Sequence, residues 1–306
     1  MISEQEIKSQ DLNIDKLFED FYIIPEYQRE YVWKEENVEQ LLEDIVAEFP
    51  ASNYEHKADD YFIGSIIVCN QDEDEDNLYV VIDGQQRITT MYIISCVIRN
   101  YINGLEYHQT TDNIKGKILG TYTDSKGYGF DKYKVKVQYD DRNEILEDFA
   151  KDNFENIDYK TGSDSIKKLI DAYQTVSNFI KTQFKNNEDE IRRFYFHLTR
   201  KVKLVRVTTS DINHALRVFE TINDRGVGLN AMDLLKNLIF KKARLDDYEN
   251  INENWKQIID ILESVISVIS YQLSVISTSA CLRSIPQESQ RLDILNFIFF
   301  HPLVER

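Results

Sequence analysis

The stretch that most constrains the fold is VVIDGQQRITTMY at 80–92. The apolar run 78–83 predicts a buried strand, and the Asp83-Gly84 pair that ends it is typical of a turn. From Gln85 onward the apolar residues recur at helical spacing. A strand, a two-residue turn and a helix therefore follow one another directly, which favours a fold in which a sheet and helices share one core.

The remaining sequence continues this alternation of strands and helices. Short apolar runs predict further strands at 21–24, 61–68, 133–137 and 202–208. Apolar residues at helical spacing predict helices at 34–49, 165–184, 188–198, 211–223 and 231–240. We therefore predict an α+β fold, in which an α/β N-terminal unit packs on a mainly helical second part.

Changes in composition along the chain predict four regions. Residues 1–105 hold the α/β unit. Residues 106–160 are interrupted by Gly and Asp and carry no clear motif, so we interpret them as a variable insertion. Residues 161–263 form the helical part, and 264–306 form an atypical tail.

The charge of the chain limits its partners. Asp and Glu number 53 against 36 Lys and Arg, which gives a net charge of −17. This charge repels phosphate and disfavours non-specific coating of DNA, so a nucleotide or nucleic acid must bind at local clusters of Lys and Arg. The polar N-terminus is not a secretory signal, and no apolar run approaches the roughly 18 residues that span a bilayer. We expect a cytoplasmic protein with no membrane partner.

The cysteines and histidines do not predict a metal site. Cys69, Cys96 and Cys281 lie far apart, form no CxxC pair and are predicted to be free thiols, buried by default. The histidines are scattered without the spacing of metal ligands. The sequence also has no GxxxxGK[ST] motif, which excludes a standard P-loop.

The polar residues after the Asp-Gly turn predict a site for an anion. A helix that begins there leaves its first N–H groups unpaired at the positive end of its dipole. Gly84 lets a ligand approach the backbone, Gln85 and Gln86 can donate and accept hydrogen bonds, and Arg87 can hold a phosphate with two hydrogen bonds. Asp83 can hold Mg²⁺. The structural alternative is a tight turn in which Arg87 forms a salt bridge.

A second polar stretch, IPEYQREYVW at 24–33, follows the first predicted strand. It places Gln28 and Arg29 at another strand end, and ligands of α/β sheets bind at strand ends. The structural alternative is an aromatic patch in the core with an arginine at the surface.

A third stretch, FETINDRGVGLNAMDLLK at 219–236, joins two predicted helices. Gly226 and Gly228 allow positive φ in the loop, and Asp233 and Lys236 lie one turn apart on the second helix. The glycine spacing imitates a dinucleotide-binding motif, but a helix rather than a strand precedes it.

In this order the three stretches resemble the N-terminal domain family of GmrSD-type restriction endonucleases, over roughly 15–245. The resemblance implies a ParB/sulfiredoxin-like fold. It also implies binding and hydrolysis of a nucleoside triphosphate in bacterial anti-phage defence, coupled to recognition or cleavage of modified foreign DNA.

The resemblance further implies which residues form the site. The element that is the NTPase signature of such proteins lies around the phosphates and comprises Asp83, Gly84, Gln85, Gln86 and Arg87. Residues that lie nearby or brace the site are Gln28, Arg29, Asn223, Gly226, Asp233 and Lys236. In the mechanism that these residues would support, Arg87 neutralises the charge of the phosphates, Asp83 holds Mg²⁺, and Gln85 or Gln86 orients the attacking water.

The tail departs from the family. Fused members continue into a His-Asn-His nuclease domain, and no such motif is visible here. Instead, residues 267–277 read SVISYQLSVIS, which has a period of seven residues. Tandem copies of the seven bases TATCAGT, translated continuously, pass through all three reading frames and encode this repeat. We interpret 264–306 as translated repeat DNA, with an ordinary Ser-rich amphipathic segment as the alternative.

Three functional hypotheses follow. In the first, the chain is an NTP-hydrolysing subunit or fragment of a restriction system, using Mg²⁺ and acting on DNA with a separate nuclease subunit. In the second, NTP binding switches a DNA-binding module without significant turnover. In the third, the chain is a truncated, inactive remnant.

Overall fold

The computed structural model divides the chain into two compact units, 1–242 and 243–306. It describes residues 7–25, 28, 30–49, 59–70, 77–103, 108–124, 126–138, 145–154, 163–185, 187–210, 212–223, 254, 257 and 261. Of these, only the backbone is described at 103, 108–112, 213, 216 and 220–223. The predicted helix at 231–240 and the tail at 264–306 lie outside the described residues.

In the first unit the described residues form eight strands and eight helices. The strands are β1 (Lys8–Asn13), β2 (Phe21–Ile24), β3 (Tyr61–Asn70), β4 (Leu78–Asp83), β5 (Leu119–Thr123), β6 (Gly129–Tyr133), β7 (Val135–Val137) and β8 (Val202–Thr209). The helices are α1 (Ile14–Leu17), α2 (Glu35–Ala47), α3 (Gln85–Asn103), α4 (His108–Ile118), α5 (Ile145–Ala150), α6 (Asp164–Phe184), α7 (Glu188–Lys201) and α8 (Ile212–Asn223). The predicted α+β fold class is confirmed.

Six strands form one mixed sheet in the order β1-β8-β3-β4-β2-β7. β2 is parallel to both β4 and β7, and β3 is parallel to β8. β3 pairs antiparallel with β4, and β1 pairs antiparallel with β8. Because β8 lies between β1 and β3, a strand from the predicted helical part completes the sheet of the predicted N-terminal unit.

The two faces of this sheet are covered differently. One face carries the larger core, where alternate strand residues such as Tyr22, Val68 and Val81 pack against helices that include α2, α3 and α6. On the other face, Ala215 and Phe219 of α8 join strand residues in a smaller core. The larger core buries Cys96 and the smaller core buries Cys69, as predicted for free thiols.

A buried arginine links several strands of the sheet. Arg206 of β8 donates through Nη1 to Asp20 Oδ2 at 2.5 Å and to the Tyr22 hydroxyl at 3.0 Å. Its Nη2 donates to Gln10 Oε1 at 2.7 Å. Its guanidinium carbon lies 4.4 Å from the centre of the Tyr79 ring. The arginine therefore contacts residues of β1, β2 and β4, as well as the residue that precedes β2.

The predicted strand at 133–137 is wrong in one respect, because Lys134 interrupts it. The Lys134 backbone N–H donates to Ile118 O at 2.9 Å. Its side chain turns inward, and Nζ donates to Glu19 O at 2.8 Å. The chain therefore leaves the β5–β6 hairpin at Tyr133 and joins the main sheet at Val135.

Among the described helices, none has both the length and the apolar composition that crossing a bilayer requires.

Candidate functional site

The Asp-Gly turn joins β4 directly to α3, and Gly84 is required there by its conformation. Gly84 has φ of +85°, and an added Cβ would lie 2.5 Å from Ile66 Cγ2. This missing Cβ points into β3, so the need for glycine comes from packing and from positive φ. The Ile88 N–H donates to Gly84 O at 3.1 Å and begins the helical hydrogen bonds. The first amides of α3 are thereby fixed at the end of β4.

Asp83, the last residue of β4, is only partly exposed. Burial raises the pKa of its carboxyl group, while a hydrogen bond from the Gly84 N–H and the charge of Arg87 act in the opposite direction. The carboxylate is therefore partly desolvated and lies within the electrostatic influence of the guanidinium.

Arg87 lies against a bulge in β3. Its Nη1 donates to Ser65 O at 2.9 Å. Gly64 has φ of +103°, and an added Cβ would lie 3.2 Å from Arg87 Cζ. The register of β3 against β8 shifts between Phe62 and Ser65, so the bulge makes room for the guanidinium. Within the described part of the chain, the hydrogen-bond partner of Arg87 is thus a carbonyl and not the carboxylate of a salt bridge.

Gln86 ties the second polar stretch to α3. Its Oε1 accepts from Val32 N at 2.9 Å and from Trp33 N at 3.4 Å. Its Nε2 donates to Glu30 O at 3.0 Å. A single carboxamide therefore satisfies three backbone groups of residues 30–33, and we call these contacts the Gln86 clamp. The clamp brings two of the three polar stretches into direct contact.

The second stretch also enters the core. The Tyr31 hydroxyl is 2.8 Å from Thr90 Oγ1 of α3, and the Tyr31 N–H donates to Ser165 Oγ of α6 at 3.2 Å. Gln28 is 7% exposed, and its N–H donates to Pro25 O at 3.0 Å. Tyr31 therefore has a structural role, while the backbone of the residues beside it lies next to the candidate site.

The structure describes the predicted site residues unequally. It brings together Asp83, Gly84, Gln86 and Arg87, with Gln85 as the partly buried first residue of α3. The backbone of Asn223 ends α8, which packs on the sheet face with the smaller core. The remaining predicted residues, Arg29, Gly226, Asp233 and Lys236, lie outside the described residues.

Sequence reasoning missed Gly64 and Ser65 as neighbours of the site. A signal was present, because a glycine inside a predicted buried strand often marks a bulge or the close approach of another group. The partner of that bulge, Arg87, could not be identified from the strand alone.

The donor set around the turn fits Mg²⁺ only in a site that a nucleotide completes. In the segments that the structure describes, no group of three or more His, Cys, Asp and Glu side chains could hold a metal ion. Mg²⁺ is commonly bound by one or two carboxylates together with phosphate oxygens and water. Asp83 can supply one such carboxylate, and the phosphates of a ligand would have to supply further oxygens.

A comparison with known protein families found a match over most of the chain. The family described as "GmrSD restriction endonuclease, N-terminal domain" matches residues 8–240, which include all three polar stretches. No curated protein matches the sequence.

Proposed function

Because the chain belongs to the family of GmrSD restriction endonuclease N-terminal domains, we propose that it binds and hydrolyses a nucleoside triphosphate within a DNA restriction system. The observation that carries the proposal is the turn from Asp83 to Arg87. There, a carboxylate, the first amides of a long helix and a guanidinium lie together, and all three are groups that phosphate chemistry uses.

Positive charge at the turn comes from two sources. The amides at the start of α3 present N–H groups to an anion, and Arg87 adds a permanent charge. The bond to Ser65 O and the contact with Gly64 hold the guanidinium in one orientation. Such preorganised charge is what stabilises a phosphoryl group as it transfers.

The two glutamines have different roles in this proposal. The carboxamide of Gln86 is occupied by the backbone of residues 30–33. Gln85 begins α3 at the turn and is partly exposed, and in this proposal it orients the attacking water. Asp83 would hold Mg²⁺, which supplies additional positive charge to the phosphates when it is bound.

The chain would act on modified foreign DNA in the bacterial cytoplasm, together with a separate nuclease subunit. Gln28 and Arg29 would lie near the phosphates. Asn223, Gly226, Asp233 and Lys236 would complete or brace the site.

The Gln86 clamp favours a second candidate function, the nucleotide-dependent switch. Gln86 is adjacent to Arg87 in the chain, and its side chain forms hydrogen bonds with the backbone of residues 30–33. A shift of α3 on nucleotide binding would therefore move this segment as well, and turnover would not be required. In this alternative, the bound nucleotide controls the affinity for DNA.

The experiment that tests the proposal is phosphate release with each of the four ribonucleoside triphosphates and Mg²⁺. Arg87→Ala and Asp83→Ala should reduce turnover by about a hundredfold or more, because each removes charge stabilisation from the transition state. The matched control is Arg200→Ala, which removes an arginine from α7 that stacks on Phe196. This control should retain turnover.

Two other outcomes separate the alternatives. Nucleotide binding without turnover, abolished by Arg87→Ala, would favour the switch. Absence of both binding and turnover in the wild-type protein would contradict the proposal.

A further inference from the structure

The segment from Lys115 to Gln138 differs in charge from the rest of the chain. It holds six lysines and two aspartates, a net charge of +4, in a chain whose total is −17. This segment includes the end of α4, the β5–β6 hairpin and β7. Lys115, Lys126 and Lys136 are exposed. An acidic protein that contacts nucleic acid needs such a local concentration of positive charge.

The tip of the hairpin presents aromatic side chains to solvent. Tyr128 is 69% exposed and Phe130 is 48% exposed. The turn before them is built by Asp124, whose Oδ1 accepts from Lys126 N at 3.0 Å and from Tyr128 N at 2.8 Å. The Asp124 backbone N–H also donates to Tyr128 O at 3.0 Å. The backbone that carries the exposed rings is therefore held in one conformation.

The ring of Phe130 rests on an anchored aromatic. Its centre lies 5.2 Å from that of Tyr122, which is buried and packs edge-on against Phe21 of β2 at 5.5 Å. The Lys132 ammonium lies 4.2 Å from the centre of the Tyr122 ring.

A cavity of about 350 Å³ adjoins these side chains, between the hairpin and α5. Its lining combines two aromatic rings, two lysines and two carboxylates, namely Phe130, Tyr133, Lys132, Lys136, Asp131 and Glu147. Exposed rings next to lysines are the combination by which proteins hold single-stranded nucleic acid, because rings stack on bases and lysines attract phosphates.

We propose that the β5–β6 hairpin and the adjoining cavity bind DNA through bases that are unpaired. Tyr128 and Phe130 stack on the bases, while Lys126, Lys132 and Lys136 contact the phosphates. The inference rests on the proposed function in one respect, namely that DNA is the partner of this chain. A protein partner is less compatible with this surface, because its positive charge stands out against a strongly acidic chain.

The test measures fluorescence anisotropy of a labelled single-stranded oligonucleotide of about 16 nucleotides with the full chain. The double variant Tyr128→Ala/Phe130→Ala should weaken binding about tenfold or more, because stacking is lost. Phe196→Ala is the matched control, since it removes a 42% exposed phenylalanine from α7. If the double variant fails to fold, Tyr128→Ala alone should still weaken binding by several-fold.

The lysines are tested by salt titration. The variant Lys126→Gln/Lys136→Gln should flatten the slope of log affinity against log salt by about 1.4, because two phosphate contacts are lost and each contributes about 0.7 on a single strand. Unchanged affinity in the aromatic variants would overturn the proposal. Absence of oligonucleotide binding by the wild-type chain at about 0.1 mM would overturn it as well.

Nucleotide hydrolysis measured without DNA separates this inference from the proposed function. The hairpin variants should retain hydrolysis, because they leave the Asp83-Gly84 turn unchanged. A wild-type chain that hydrolyses no nucleotide, yet loses DNA binding in the aromatic variants, would contradict the proposed function and support the hairpin surface.

Discussion

One carboxamide, that of Gln86, joins the candidate site to a segment more than fifty residues earlier in the chain. We expect Gln86→Ala to lower the free energy of unfolding by about 1–2 kcal/mol, because the N–H groups of Val32 and Trp33 lose their acceptor. Urea denaturation measures this change. Gln40→Ala, at an exposed position of α2, is the control and should change stability by less than about 0.5 kcal/mol. Equal effects of the two substitutions would show that the clamp contributes nothing to stability.

The carboxyl group of Asp83 should make stability depend on pH. Burial raises its pKa above the ordinary value of 3.8, so the folded state holds the proton more tightly than the unfolded state. Stability contributed by Asp83 therefore falls as pH rises from 3.8 through the raised pKa. We expect Asp83→Asn to have a higher Tm than the wild type at pH 7.

The advantage of Asp83→Asn should shrink below about pH 4, where the carboxyl is protonated in both states of the wild type. Thermal melts followed by circular dichroism at several pH values test this. Asp171→Asn, at an exposed position of α6, is the comparison and should change Tm little. A lower Tm for Asp83→Asn at pH 7 would contradict the sign of the argument.

At the level of elements, much of the fold could be predicted from the sequence. The bounds of β2 and β4 and the start of α3 are as predicted, because apolar runs and the Asp-Gly turn are local signals. β1 was not predicted, since its residues KSQDLN are mostly polar and β8 is its pairing partner among the described strands. The β5–β6 hairpin lay within the predicted insertion, where exposed residues weaken the alternation.

The candidate site likewise has a part that could be predicted from local sequence and a part that could not. The positions of Asp83, Gly84 and Arg87 could be predicted from the local pattern of strand, turn and helix. The clamp on residues 30–33 and the bulge at Gly64 depend on which strands become neighbours. Residue types alone could not specify either contact.

The bulge in β3 can be tested as an element. Gly64→Ala should lower the free energy of unfolding by about 1–3 kcal/mol, because an L-residue is strained at φ of +103° and its Cβ would press on Arg87. Gly116→Ala in α4 is a matched control, since nothing lies within 4 Å of its added Cβ.

This control should raise stability by about 0.5–1 kcal/mol, because alanine favours a helix more than glycine does. Chemical denaturation of both variants provides the comparison. Stability of Gly64→Ala equal to that of the wild type would mean that the bulge relaxes without cost.

The side chain of Arg206 in β8 contacts residues of β1, β2 and β4, and so ties together strands that are not neighbours in the sheet. We expect Arg206→Met to destabilise the chain by about 3 kcal/mol, because the Asp20 carboxylate loses its partner in a largely buried position. Adding Asp20→Asn should restore part of this loss. A double-mutant cycle from urea denaturation measures the coupling, and additive effects would contradict a direct ion pair.

The position of β8 between β1 and β3 has a consequence for synthesis on the ribosome. Lys8 pairs with Thr208, so β1 must wait until about two hundred further residues have been translated before it finds its partner. Until then β3 also has one edge with unpaired backbone groups, on which a neighbouring nascent chain can pair. Translation that stops before β8 therefore releases an aggregation-prone fragment, and slow elongation before this point prolongs the exposure of that edge.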